Sequence, residues 1–188
     1  PGDVVVVFVP MSAELYAIMA ALLRLAMVPV FVEPAAWRQT LDRALASMAV
    51  RGFIGLASAC AMRLLVPAMR RVPKVFVAGA FFPGAVPLRA ARGLAPSQRL
   101  EAVAADRPGI LTFTSGSTGR PKGVVRSHGV LAATHRVLSA RLELAPGDLD
   151  VALLPIVVLA NLGCGVASLI PDGNLTRAAA VDARRLAR

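Results

Sequence analysis

The segment Thr114-Ser115-Gly116-Ser117-Thr118-Gly119-Arg120-Pro121-Lys122-Gly123 gathers the groups in this chain best suited to grip a polyphosphate. Its three glycines let the backbone turn tightly and bring N–H groups close to an anion. The hydroxyls of Thr114, Ser115, Ser117 and Thr118 add neutral donors, and one of them can face a Mg²⁺ ion. Lys122 supplies a mobile positive charge, and Pro121 restricts the backbone just before it. A Gly/Ser/Thr-rich surface turn between two strands has the same composition, so residue types alone leave both readings open. The common NTPase phosphate loop is excluded. It sets Lys directly before Ser or Thr at the start of a helix, whereas Gly123 follows Lys122 here.

A loop of this kind needs a rigid frame, and the flanking sequence predicts one. Val4 to Val9 is a β-branched run closed by Pro10, suited to a strand buried on both faces. Ser12 can cap a helix running to about Met27, with Glu14 in its first turn. Strands follow at Val28 to Val32, Gly52 to Gly55 and Lys74 to Ala78, separated by helices at Ala36 to Ala49 and Ser58 to Arg70. This alternation predicts an α/β fold built on a mainly parallel, helix-covered sheet. From Gly79 to Pro108 the Pro and Gly residues predict a surface connection, with one short helix around Ser97 to Ala104. The strand Ile110 to Phe113 then leads directly into the loop. A strand near Gly123 to Arg126, a helix over Gly129 to Leu142, a turn at Pro146-Gly147-Asp148 and a strand at Val151 to Leu154 complete the pattern.

A chain of 188 residues that is 56% apolar can fold around a hydrophobic core and is not disordered. Its net charge of +10 raises nucleic-acid binding as a class, but the basic residues are dispersed and not interleaved with stacking aromatics, so none is expected. Cys60 and Cys164 belong to no metal-like spacing and read as reduced core thiols of a cytoplasmic protein. Val151 to Pro171 lacks charge and has the length of a membrane span, yet Pro155, Asn161, Gly163 and Gly165 within it favour buried elements over a transmembrane helix. No basic, apolar secretory leader is visible after Pro1.

The string Leu111-Thr112-Phe113 followed by Thr114 to Val124 resembles, nearly position by position, the signature phosphate loop of the adenylate-forming superfamily. That superfamily includes acyl-CoA synthetases, luciferases and peptide-synthetase adenylation domains. Gly2-Asp3 with Val4 to Pro10, then Ser12 to Leu15, Val28-Pro29-Val30 and Pro34, are similar to its opening β-α-β unit. The resemblance implies an incomplete N-terminal ATP-binding domain over residues 1–188. Residues 1–78 would form a βαβ-type half, 79–108 a connection and 109–188 the phosphate-loop half. It implies that Thr114, Ser115, Gly116, Ser117, Thr118, Gly119 and Lys122 contact the phosphates of ATP, with Lys122 catalytic and Ser117 associated with Mg²⁺. His128 matches a position where the family often carries histidine, and is read as structural.

By the same resemblance a carboxylate attacks the α-phosphorus of MgATP, giving an acyl-adenylate and pyrophosphate, and a second nucleophile displaces AMP. Leu153-Leu154-Pro155-Ile156 matches the next family motif, but Val157 to Gly163 lacks its usual aromatic and histidine. This apolar version resembles the branch holding olefin-pathway β-lactone synthetases, implying a fatty or β-hydroxy fatty acid substrate. Leu153 to Ile170 would then line an acyl pocket, though plain core packing explains its hydrophobicity equally well. CoA is the alternative acceptor. The family's glutamate motif and lysine-bearing C-terminal domain have no counterpart after Asp172, so the expectation is a fragment, inactive without the missing portion. A catalytically inert nucleotide-binding remnant is the competing expectation.

Overall fold

The computed structural model describes residues 1–32, 42, 45, 48–114 and 122–171. The chain divides into two compact units, Pro1–Gly129 and Val130–Arg188.

In the first unit, β1 (Val4–Phe8), β2 (Val28–Val32), β3 (Val50–Leu56), β4 (Lys74–Ala78), β5 (Val86–Pro87), β6 (Pro108–Thr114) and β7 (Lys122–Ser127) form one seven-stranded sheet. Its order is β5-β4-β3-β1-β2-β6-β7. Every pairing is parallel except β6 with β7, which is antiparallel. The α/β, mainly parallel reading of the sequence is therefore correct. Strand β1 is buried at its three central valines, as an inner parallel strand requires.

α1 (Ala13–Arg24) starts where the sequence predicts. The Ser12 hydroxyl accepts a 3.3 Å hydrogen bond from the Leu15 N–H, and Glu14 and Arg24 complement the two ends of the helix dipole. Leu15, Tyr16, Ile18, Met19 and Leu22 form its buried stripe. On the sheet, Val6, Val30, Phe53, Val75 and Leu111 share one apolar cluster with Cys60, Val66 and Met69 from the segment between β3 and β4. Val5, from the alternate face of β1, instead lines a cavity with Leu22 of α1. Consecutive strand residues point to opposite faces, so the sheet is covered on both sides.

Two expectations within this unit are corrected. The helix expected over Ser58 to Arg70 is broken into α2 (Ala57–Met62), a 3₁₀ turn at Arg63–Leu65 and α3 (Pro67–Arg70). Pro67 lacks an N–H and its ring would strike the preceding turn. Val66 is accordingly extended, and the Asp42 carboxylate accepts the Ala68 N–H at 2.8 Å to cap the restarted helix. The helix expected around Ser97 to Ala104 is absent. That stretch is irregular, with the Ser97 hydroxyl accepting the Arg99 N–H and the Glu101 N–H donating to the Arg24 carbonyl. A 3₁₀ helix at Leu88–Gly93 occupies the connection instead. The predicted helix over Ala36 to Ala49 lies mostly outside the described residues, of which Asp42 and Leu45 are helical.

The second unit contains most of α4 (His128–Arg141), then β8 (Leu149–Val151), α5 (Pro155–Cys164) and β9 (Ala167–Leu169), with β8 and β9 paired in parallel. The strand expected at Val151 to Leu154 is displaced toward the N-terminus. Pro155 opens α5, its fixed φ suiting the first helical turn, so the preceding residues form the approach to a helix. Gly165 ends α5 in the left-handed conformation (φ 72°), which a side chain would strain. Asn161 is fully buried, and its Nδ2 donates to Asp150 Oδ2 at 2.8 Å and to Ser168 Oγ at 2.9 Å. Since Asp150 and Ser168 are register partners, one amide clips the two strands together. Among the described residues no helix is long and apolar enough to cross a membrane.

Candidate functional site

β6 is the hinge of the site. On one side it pairs in parallel with β2, Val30 with Leu111 and Val32 with Phe113. On the other it pairs antiparallel with β7 from Ile110–Arg126 out to Thr114–Lys122. The β6–β7 ribbon therefore points its open end toward the carboxyl ends of the parallel strands, the edge where open α/β sheets hold their ligands. Thr114 and Lys122 face each other across that end, and Lys122 is exposed.

Of the residues the sequence singled out, Lys122 and the backbone of Thr114 are thus brought together. Ser115, Gly116, Ser117, Thr118 and Gly119 lie outside the described residues, as does the side chain of Thr114. Gly123, counted in the sequence among the glycines of an anion loop, belongs to β7. A Cβ there would come within 3.0 Å of Phe113 Cε1 and 3.4 Å of Leu111 Cδ1. Its role in the described structure is to let the Phe113 ring lie across the ribbon.

The base of the ribbon is fixed by contacts to the segment before β6. The His128 N–H donates to the Arg107 carbonyl at 3.0 Å, and the Gly129 N–H to the Ala105 carbonyl at 2.7 Å. A Cβ on Gly129 would meet that carbonyl oxygen at 2.9 Å, so the approach requires glycine. His128 Nε2 is buried and has no hydrogen-bond partner among the described residues.

Two residues that the sequence did not single out join this frame. Arg126, half-buried, donates from Nη1 to Thr112 Oγ1 at 3.0 Å across the ribbon. Alternation along β7 sets positions 122, 124 and 126 on one face, and the register adds 110, 112 and 114 from β6. A period of two over Lys122, Val124 and Arg126 was the available signal.

Beside the ribbon, a cleft of about 400 Å³ opens at the carboxyl ends of β1, β2 and β3, lined by Phe8, Pro10, Phe31, Val32, Leu56 and Met62 among others. β1 and β3 are adjacent while their onward connections run in opposite directions along the sheet, which makes this a topological switch point.

Neither cysteine takes part. Burial pushes the Cys60 thiol up, with Arg63 opposing the shift, and Cys60 sits in the core. Cys164 is only half-buried, which corrects the expectation of two core thiols, because it falls at the last residue of α5.

The family model for the AMP-binding enzyme matches residues 1–176. An olefin β-lactone synthetase of Xanthomonas campestris is 36% identical over 184 residues, which is 96% of this chain and 33% of that protein. Another, from Stenotrophomonas maltophilia, is 33% identical over 186 residues, again 96% of this chain and 33% of the relative. The chain thus spans about a third of the length of these relatives. Among solved structures, ATP-bound MatB from Rhodopseudomonas palustris has the same fold, with a TM-score of 0.74 at 20% identity, covering 92% of this chain and 36% of that one.

Proposed function

The chain belongs to the AMP-binding enzyme family, and from that premise we propose that it carries the phosphate-gripping part of an enzyme that adenylates a fatty or β-hydroxy fatty acid. The observation that carries this reading is the pairing of Thr114 with exposed Lys122 at the ligand-holding edge of the sheet, bracketing a segment of Ser, Thr and Gly. Residues 1–78, 79–108 and 109–188 would act as the βαβ half, the connection and the phosphate-loop half of one N-terminal ATP-binding domain.

In the proposed reaction a carboxylate oxygen bonds to the α-phosphorus of ATP and the bond to pyrophosphate breaks. The nucleophile and the triphosphate are both anionic, so the protein's work is to orient them and neutralise charge. Lys122 does this for the β- and γ-phosphates, assisted by hydroxyls and backbone N–H groups of Thr114, Ser115, Gly116, Ser117, Thr118 and Gly119. A Mg²⁺ ion would supply further neutralisation. It binds through substrate phosphates, water and few protein oxygens, a demand that the Ser117 hydroxyl fits by type.

In the second step, which the lactone in the relatives' name suggests, the substrate's β-hydroxyl oxygen attacks the acyl carbon and loses its proton, the acyl–phosphate bond breaks, and AMP departs as the lactone closes. The 36% identity to a β-lactone synthetase favours this over transfer to CoA. Both steps would run in the cytoplasm.

The test is ATP–pyrophosphate exchange by the full-length protein with a panel of acids, followed by product analysis. Exchange driven by β-hydroxy fatty acids, with lactone and AMP as products, is the expected result. Saturable MgATP binding without exchange for any acid would replace this reading with an inert nucleotide-binding remnant.

A further inference from the structure

Arg126 is the second cation of the β6–β7 ribbon. It stands on the same face as Lys122, four residues further along β7. Its position pairs with Ile110, yet its guanidinium reaches diagonally to Thr112, toward the open end of the ribbon. Thr112 lies opposite Val124, so the charge is held at a level about 7 Å from that of Lys122, one pleat repeat of an antiparallel strand.

No Asp or Glu among the described residues forms an ion pair with Arg126. One N–H is spent on Thr112, and the rest of the fork is uncommitted among the described residues. A half-buried arginine with no counter-charge among the described residues projects a positive field in a setting where water screens it incompletely.

We propose that Arg126 is a positioning residue of the anion site: latched to Thr112, it holds a fixed positive charge beneath the open end of the ribbon and strengthens the grip on the triphosphate of a nucleotide. The proposal rests on the adenylation reading above. The division of labour follows from side-chain chemistry. Lys122 is a mobile point charge at the rim, while Arg126 is a planar fork set in place by a hydrogen bond. The hydroxyl of Thr112 thereby acquires a role: it is the tether that keeps the guanidinium inclined toward the Thr114–Lys122 pair.

The experiment measures KM for ATP and kcat in pyrophosphate exchange by the full-length protein, at low and high ionic strength, for Arg126→Gln, Arg126→Lys and Thr112→Val. Removing the charge in Arg126→Gln should raise KM for ATP roughly tenfold at low salt, with the gap narrowing as salt screens the field. kcat should stay within about threefold, because the charge contributes to binding in ground and transition states alike. Arg126→Lys keeps the charge but loses the latched fork, and should raise KM by no more than about threefold, well short of Arg126→Gln. Thr112→Val frees the fork and should raise KM by about threefold. An Arg126→Gln protein that melts earlier but keeps its KM for ATP would make the bond a purely structural cross-strand clip and overturn the proposal. Should that variant not fold, an unchanged KM in Thr112→Val overturns it equally. Absence of exchange with any acid in the unmodified protein would instead bring down the adenylation reading, and this proposal with it.

Discussion

The imidazole of His135, on α4, lies so close to Gly163, on α5, that a Cβ at Gly163 would come within 2.6 Å of Cε1 and 2.9 Å of Nδ1. His135 Nδ1 is itself buried, with no hydrogen-bond partner among the described residues. Gly163→Ala must therefore displace the ring, at about 1–3 kcal/mol, against a gain in helix propensity of about 1 kcal/mol. The net expected outcome is faster hydrogen exchange across residues 155–164. In a His135→Ala background the clash disappears and the same Gly163→Ala change should be neutral or stabilising, a sign reversal that additive effects cannot produce.

Lys122→Ala should lower pyrophosphate exchange by at least about a hundredfold through loss of charge stabilisation. Because Lys122 is exposed, its loss should shift unfolding free energy by no more than about 0.5 kcal/mol. Exchange at the unmodified rate in a well-folded variant would refute the assignment of this lysine.

Gly123→Ala and Gly93→Ala make a matched pair. At Gly123 the Phe113 ring stands 3.0 Å from the new methyl, whereas among the described residues nothing lies within 4 Å at Gly93. Gly123→Ala should cost about 1–3 kcal/mol by forcing the ring off its place. Gly93→Ala should be neutral or stabilise by up to about 1 kcal/mol, since it removes freedom from the unfolded chain. Thermal unfolding of the two variants distinguishes these outcomes.

Asn161→Asp should be pH-dependent. It sets a carboxyl where an amide N–H now meets Asp150 Oδ2 at 2.8 Å. Two carboxylates at that separation cannot both ionise readily, so the folded protein holds a proton that the unfolded chain releases. A raised folded pKa means that the penalty is small below the ordinary carboxylate range and grows as pH rises through it. Melting temperature relative to the unmodified protein should fall from pH 4 to pH 7, and a pH-independent difference would contradict the geometry.

Tyr16 predicts the opposite end of the scale. Burial pushes its hydroxyl up to about 12, and among the described residues that hydroxyl has no hydrogen-bond partner. Its contribution to stability is fully present below the ordinary tyrosine value of about 10 and is lost as pH rises from there through about 12. Tyr16→Phe should abolish this alkaline loss in a melting-temperature profile. It should also leave neutral-pH stability unchanged or improved, because an unsatisfied buried hydroxyl is removed.

Much of this architecture is written locally in the chain. The β-branched run Val4 to Val9 reads as an inner strand, and Ser12 with Glu14 marks the start of α1 from four residues of sequence. That a strand begins near Lys122, after the Gly-rich segment, was legible from its neighbours, and the structure pairs Lys122 with Thr114. What escaped depends on partners distant in sequence. The Ser97–Ala104 backbone abandons helix because Glu101 finds the Arg24 carbonyl. Arg126 acquires meaning only once the register sets it diagonal to Thr112. The break before Pro67 is different, since a proline in mid-helix was visible and its local cost should have outweighed the apolar periodicity on either side.

The position of β6 in the sheet also sets a timetable. β2 gains its second neighbour only when residues from Leu111 onward emerge, long after Val30. At the usual ~5–20 residues per second of synthesis, the free edge of β2 stands open for on the order of 4–16 seconds. Throughout that interval the nascent chain displays an apolar strand with unmet backbone groups, a template for mispairing with neighbouring chains on crowded ribosomes. The ribbon bearing Lys122 is thus the piece that closes this edge, and slow translation or a chaperone shortage between residues 30 and 111 would be felt first as lost yield of soluble protein.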